Sequence, residues 1–444
     1  MGHTNDLIYG IDDRPPFKEA LFAALQHLLA IFVAIITPPL IIASALQLDL
    51  ETTSFLVSMA LFASGISTFI QCKRIGPVGA GLLCIQGTSF SFIGPIITAG
   101  LAGGLPMIFG ACMAAAPVEM VISRTFKYMR SIITPLVSGI VVLLIGLSLI
   151  KVGVVSCGGG YAAMDDGTFG SFRNLSVALS VLLSVLFFNR CKNKYLRMSS
   201  IVLGLCVGYA FAFSLGMVDM GALATQSSGM LNVPMPFKYG VSFNWSSIVA
   251  IGLIYLITAI EATGDITANS LISGKAIEGE SYLKRVSGGV LADGFNSFLA
   301  GIFSSFPNSI FAQNNGIIQL TGVASRYVGY YIAAMLILLG LFPFVGKAFS
   351  LMPEPVLGGA TLLMFGTVAA AGIRIIAAQE INRKATLILA VSLSLGLGVE
   401  LSPDILRMMP ESVKGIFSSG ITTGGLTAII ANICIRVKED KTEK

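Results

Sequence analysis

The sequence predicts an all-α polytopic membrane protein of fourteen transmembrane segments, arranged as two inverted repeats of seven. Three observations carry that prediction. Hydrophobic residues make up 55% of the 444 and charged residues 11%, and the mean hydropathy is +0.84. A soluble domain carries about 25% charged residues, so almost none of this chain is soluble domain. Apolar runs recur at the length a helix needs to cross a bilayer, about 20 residues. Finally, distant stretches repeat one another: PLVSGIVVLLIG (135–146) aligns without gaps on PVLGGATLLMFG (355–366), matching Pro135 to Pro355, Gly139 to Gly359 and Gly146 to Gly366.

A polar N-terminus (1–18) precedes the first repeat, 19–216. Its runs lie near 19–41, 54–71, 79–98, 101–121, 133–150, 174–189 and 199–216. A linker (217–245) leads to the second repeat, 246–436, with runs near 246–266, 286–302, 304–322, 327–346, 354–374, 384–400 and 416–436; a tail (437–444) follows. Segments 122–131 and 347–353 read as short interfacial helices. With the N-terminus placed in the cytoplasm, 22 of the Lys and Arg residues fall on the cytoplasmic side and 6 outside (Lys151, Arg173, Lys238, Lys347, Arg407, Lys414). That bias puts both termini inside and the linker outside. Seven spans per repeat is odd, so the second repeat enters the membrane from the opposite face. The start, MGHTNDLIYGIDDRPPFKEA, lacks the basic-then-apolar pattern of a cleaved signal peptide. The seven cysteines form no CxxC pair, so neither a disulfide framework nor a metal site is expected.

The stretch FSSFPNSIFAQNNGIIQLTG (303–322) occupies the place of a span but is a poor helix. Pro307, Asn308, Asn314, Asn315 and Gly316 interrupt it, and Gln313 and Gln319 add amides. Irregular backbone at membrane depth is tolerated only where it is buried in protein or lines a cavity. Segment three is interrupted in the same way by Gln86, Gly87, Thr88, Ser89 and Pro95, and SFSFIGP (89–95) falls on IFAQNNG (310–316) at an offset of 221, close to the 220 of the other alignment. Paired broken spans at matching positions of inverted halves point to a transporter's central site.

Few ionisable residues fall well inside a span: His27 in segment one, Glu261 and Asp265 at the end of segment eight, and Asp293 in segment nine. Such residues are functional hypotheses by default. Glu261 and Asp265 are four apart and share a helix face. Either a proton-exchanging role or a structural, hydrogen-bonded one fits each acid. Glu119, near the end of segment four, reads as an interfacial residue. A carboxylate accepts two hydrogen bonds and a Gln amide both donates and accepts. Together they match the N–H and C=O edge of a neutral planar oxo-heterocycle, on which Phe90 and Phe92 could stack. No Arg or Lys lies near the broken segments at membrane depth, which argues against an inorganic anion or dicarboxylate.

QNNGIIQLTG (313–322) resembles the signature of the nucleobase–ascorbate transporter family: Gln, Glu or Pro, then Asn, a free position, Gly, four free positions, Thr, and Arg, Lys or Gly. Gln313, Asn314, Gly316, Thr321 and Gly322 fill its fixed positions. EATGDITA (261–268), GGVLADGFNS (288–297), QHLLAIFVAIITP (26–38) and GLLCIQGTSFSF (81–92) resemble the bacterial xanthine permease branch, so the likeness covers nearly the whole chain. The resemblance implies a core domain of spans one to four and eight to eleven and a gate domain of the remainder. It also implies short strands in spans three and ten with the substrate between them, and a homodimer with gate domains in contact in the bacterial inner membrane.

Carried over residue by residue, the substrate carboxylate is Glu261 and the substrate amide Gln313. Backbone near Phe90 and Ala312 completes the site, and Asn314 tunes specificity. Asp265 and Asp293 match acids needed for transport, and His27 matches a first-span histidine. Ser89 departs from the pattern, standing where some xanthine permeases carry Asn, which leaves the purine range open. Glu261 is shared with uracil permeases, whereas Gln313 leans to purine.

The implied activity is proton-coupled uptake of a purine, with xanthine first and urate, other oxopurines or uracil as alternatives. It needs no cofactor and involves no nucleic acid. An anion transporter of the same fold competes with this reading, but Glu261 disfavours anions. A membrane enzyme is a third class, and the polar residues offer no nucleophile–base pair or cofactor motif for it.

Overall fold

Several of the apolar helices open on a capping side chain. Asp49 accepts from Thr52 N at 3.1 Å, and Asn244 accepts from Ser247 N at 3.2 Å. Such caps satisfy amides that a helix start leaves free. The computed structural model describes residues 7–129, 134–193, 196–197, 199–218, 231–410, 413–414, 417 and 419–435. In chain order these form α1 (Phe17–Ala45), α2 (Leu50–Lys73), β1 (Gln86–Thr88), α3 (Ile93–Ala115), α4 (Pro117–Met129), α5 (Pro135–Gly158), α6 (Gly160–Asp165), α7 (Phe172–Arg190) and α8 (Ser200–Ser214). Then follow α9 (Trp245–Ile272), α10 (Gly279–Ile302), β2 (Asn308–Ile310), α11 (Gln313–Thr321), α12 (Arg326–Leu341), α13 (Pro343–Ser350), α14 (Glu354–Ala377), α15 (Arg383–Leu401) and α16 (Gly420–Cys434).

Among the described residues, eight helices are long and apolar enough to cross a membrane, or nine if α12 and α13, bent by 74°, count as one span. One of the eight, Phe90–Thr125, is broken inside α3. Gly103 and Gly104 leave helical geometry there, Gly104 at φ 68°, ψ −165°, a conformation open essentially to glycine alone. This break falls inside the expected segment 101–121, three residues from its start. The short helix expected over 122–131 starts earlier: α4 runs from Pro117 to Met129, and residues 130–131 lie outside the described part. The other short helix, α13, starts earlier than the expected 347–353 because Pro343 opens it at its first turn, where proline's fixed φ suits a helix start. Residues 219–230 of the 217–245 linker, the tail and residues 1–6 also lie outside the described residues.

The centre of the fold is a two-stranded sheet buried among helices. β1 and β2 pair antiparallel, with Gln86 opposite Ile310, Gly87 opposite Ser309 and Thr88 opposite Asn308. The ladder extends at both ends through Ser89 N to Pro307 O at 2.9 Å and Phe311 N to Ile85 O at 3.0 Å. Two strands alone leave outer edges unpaired, which is costly away from water. Helix side chains cover them. Thr68 of α2 accepts from Gln86 N at 3.1 Å. Ser297 of α10 accepts from Asn308 N at 3.0 Å and donates to Asn308 O at 3.1 Å. Gln71 of α2 holds the preceding loop, accepting from Ala80 N at 2.8 Å and donating to Gly289 O at 3.0 Å.

Small residues let the helices approach closely, as membrane packing favours. A Cβ on Gly65 of α2 would lie 2.7 Å from Ala333 O of α12, and one on Gly139 of α5 would lie 2.8 Å from Ile376 Cγ1 of α14. Gly146 of α5 rests against the Ala369 backbone of α14, whereas Gly366, which aligns with it in sequence, has nothing within 4 Å of an added Cβ. G146V therefore overpacks the α5–α14 contact, at a cost of about 1–3 kcal/mol. The expected result is a lower melting temperature in detergent for G146V and little change for G366A, read by thermal unfolding of the purified proteins.

Candidate functional site

Each strand runs directly into a helix start. After β1 a 3-10 turn (Phe90–Phe92) leads into α3, and after β2 the chain enters α11 at Gln313 with no side-chain cap. Half-helix N-termini at a broken span present free N–H groups to a bound polar group. The three adjacent amides of α11 divide by face. Gln313 is exposed together with Ala312, Gly316 and Gln319, one stripe at helical spacing, and Gly316 has open space around it. Asn314 and Asn315 are buried. Asn314 Nδ2 donates to Leu83 O. Asn269 of α9 donates to Leu83 O at 2.9 Å and to Asn315 Oδ1 at 3.0 Å, and Asn315 Nδ2 lies 3.3 Å from Asp265 O. Gln313 and Ala312 thus stay exposed, while Asn314 and Asn315 fix α11 to α9 and to the chain before β1. His27 of α1 is fully buried beside Asn314.

Glu261 of α9 is half-buried and accepts from Ser91 Oγ at 3.4 Å. One turn on, Gly264 is exposed, with nothing within 4 Å of an added Cβ. Asp265 turns inward: its Oδ2 is buried without a donor among the described residues. Phe90 is half-buried and meets Phe365 of α14 edge-on, centroids 5.4 Å apart. Phe92 does not fit the expected stacking role. It is fully buried against Tyr255, centroids 4.7 Å apart, so it is a core residue. Ser89 is also buried, and its Oγ accepts from Ser91 N at 3.4 Å; it shapes the turn that presents Phe90 and Ser91.

Asp293 of α10 is fully buried and accepts through Oδ1 from Gln86 Nε2. Gln86 Oε1 accepts from Asn296 Nδ2, which also donates to Ser67 O at 3.2 Å. Asp293 is thus hydrogen-bonded to segment three, through Gln86. Glu119 corrects the sequence expectation. It is fully buried, not interfacial, because α4 continues beyond the expected end of its span and carries Glu119 against α10. A Cβ on Gly294 would lie 3.1 Å from Glu119 Cβ, and Thr258 Oγ1 lies 3.3 Å from Glu119 Oε1. Sequence reasoning named Gln86 only as a helix breaker and passed over Asn296. The signal was present, since Asp293 and Asn296 are three apart on one helix face.

Thr321 and Gly322 close α11. Thr321 Oγ1 donates to Ile317 O at 2.9 Å and accepts from Val323 N at 3.3 Å. Gly322 caps the helix at φ 69°, ψ 14°, the left-handed region, which costs other residues about 1–2 kcal/mol. Gly322 O accepts from Ile8 N at 2.8 Å, and Ala324 N and Arg326 N donate to Tyr9 O and Ile11 O at 2.9 and 3.0 Å. The N-terminal segment thus lies along the exit of α11. G322A should lower stability by about 1–2 kcal/mol, seen as a reduced melting temperature without loss of the far-UV helical signal.

A carboxylate bonded to the turn after β1 and an exposed amide at the start of α11 thus lie at the two half-helix starts, inside a bundle of apolar helices. The Permease family model (Xan_ur_permease) matches residues 18–405. Xanthine permease XanP of Escherichia coli K12 is 52% identical over 440 residues, covering 97% of this chain and 95% of its own. Xanthine permease XanQ of the same strain is 49% identical over 440 residues, covering 97% and 94%. The nucleobase transporter PlUacP of Paenibacillus larvae is 35% identical over 429 residues, covering 96% and 97%. The chain belongs to the nucleobase–ascorbate transporter family. Among solved structures, the murine anion transporter Slc26a9 superposes with a TM-score of 0.61 at 11% identity, covering 95% of this chain and 68% of its own. The transmembrane domain of the cyanobacterial bicarbonate transporter BicA gives 0.57 at 15%, covering 96% and 100%. Those two likenesses concern the fold.

Proposed function

We propose that the protein takes up xanthine across the bacterial inner membrane by proton symport. One observation carries the reading: half-buried Glu261 and exposed Gln313 flank the starts of two half-helices, and neither ion pair found among the described residues, Glu280–Lys284 or Asp12–Arg326, lies there. A carboxylate accepting from two ring N–H groups and an amide bonding both ways match an oxopurine edge. The half-helix starts supply N–H donors for its carbonyls, and Phe90 offers a ring face or edge for stacking. The relatives named xanthine permeases support the same substrate.

In this reading fourteen segments form two inverted repeats with both termini in the cytoplasm. The core is α1–α4 and α9–α12 with the strands, and it moves against a gate built around α5 and α14. Asp293 couples the proton, with Asp265 and His27 maintaining the frame. Two protomers associate through their gates; exposed apolar side chains such as Ile373 of α14 and Leu395 of α15 suit that contact or lipid. The deciding experiment is a panel of unlabelled purines and pyrimidines competed against radiolabelled xanthine uptake. Xanthine should compete best, with uracil and bicarbonate without effect. Uracil competing more strongly than xanthine would overturn the substrate assignment, and anion-driven exchange would favour the anion-transporter reading.

A further inference from the structure

We propose that Glu119 and Asp293 form one proton-binding site between α4 and α10, holding a single shared proton that leaves when substrate is released inside. The inference rests on the proton-symport reading and adds to it a residue and a chemistry. Both carboxyl groups are fully buried and lie within hydrogen-bonding reach of each other. Each retains one oxygen, Glu119 Oε2 and Asp293 Oδ2, with no donor among the described residues. Two ionised carboxylates have no hydrogen to offer one another; with one proton between them they form a short, strong bond. The close approach at Gly294 holds the two helices in register for that contact.

The surroundings favour a proton over a metal cation. The groups within electrostatic reach of the pair are Thr258, Tyr255, Glu261 and Asp265 of α9 and Cys84 before β1. None of these is basic. Arg285, two turns earlier on α10, is engaged instead with Ser270 Oγ at 3.1 Å and Ala276 O at 3.3 Å. Among the described residues no group of three metal-ligating side chains occurs.

The geometry also supplies a link to the substrate. Gln86 donates to Asp293 and lies on β1. The turn after β1 carries Ser91, which bonds Glu261. With the proton present, Asp293 needs only Gln86 and Glu119 as partners, and β1 is held against α10. Without it, two negative charges in contact repel, and the hold on β1 and on Ser91 loosens. Proton and substrate then stabilise the same arrangement, which is the reciprocal linkage a symporter requires.

E119Q tests this, because its amide donates to Asp293 permanently and mimics the shared proton. In proteoliposomes with an internal pH dye, wild type should move protons with xanthine, and its affinity should weaken as pH rises. E119Q should still bind xanthine, lose pH dependence of affinity by about tenfold or more, and fail to accumulate xanthine or move protons. E119D should restore proton-coupled uptake, and E119Q/D293N should resemble either single variant, as expected of residues acting as a unit. Wild-type proton symport together with wild-type pH dependence in E119Q would overturn the pair while leaving the proposed function intact. Xanthine uptake by wild type without protons, or with sodium instead, would overturn both. If E119Q is not recovered folded, the infrared spectrum of wild type decides. A protonated-carboxyl band at neutral pH that disappears on release of xanthine and shifts in E119D supports the pair, and its absence refutes it.

Discussion

E261Q is expected to bind xanthine about tenfold to a hundredfold more weakly than wild type, a loss of about 1.5–3 kcal/mol. The substitution keeps the size of the side chain and an acceptor for Ser91 Oγ, now 3.4 Å from Glu261 Oε2. It removes the charge that lets both oxygens accept from ring N–H groups and introduces an NH2 that opposes one of them. Glu261 is half-buried, one turn from the exposed Gly264, and its one side-chain partner among the described residues, Ser91 Oγ, needs only an acceptor, so expression should be normal. Binding to purified protein, by calorimetry or ligand-induced thermal shift, checks this. Unchanged affinity in folded E261Q would remove Glu261 from the substrate site.

D293N should separate binding from coupling. Asn keeps an oxygen to accept from Gln86 Nε2, so the Asp293–Gln86–Asn296 chain can persist and the strand pair stays supported. What is lost is the ability to bind and release a proton. The variant should bind xanthine with little pH dependence, exchange it across the membrane down its gradient, and fail to concentrate it. Uptake by D293N that remains concentrative with wild-type pH dependence would show that Asp293 is not the coupling residue. A Gln86→Ala variant addresses the structural alternative: it leaves the Asp293 carboxyl unpaired and should reduce stability as well as transport, whereas D293N should reduce transport alone.

The broken character of segments three and ten was legible because helix breakers and amides stood where apolar residues were due. Gln86–Thr88 and Asn308–Ile310 do leave the helix there and pair as strands. What covers their outer edges was not legible, since Thr68 and Ser297 look like ordinary small polar residues of apolar helices, and their edge-capping role exists only once α2 and α10 flank the sheet. Glu119 was misplaced for a related reason. A hydropathy boundary near 121 put it at the membrane surface, but α4 continues to Met129 and buries it opposite Gly294 of α10, a contact 175 positions away in the chain. Phe92 and Phe90 are two apart and equivalent by composition. The 3-10 turn sends Phe92 into the core against Tyr255 and leaves Phe90 half-exposed. Gly322 was readable as a fixed position of a motif, and the structure gives its reason in a left-handed helix cap.

The most direct test of the account is radiolabelled xanthine uptake into proteoliposomes holding the purified protein, with an imposed inward proton gradient. The account predicts accumulation above the external concentration, abolished by a protonophore and by E261Q, and unaffected by removing sodium. Equilibration of xanthine at the external concentration irrespective of the proton gradient, or no xanthine entry at all, would contradict it.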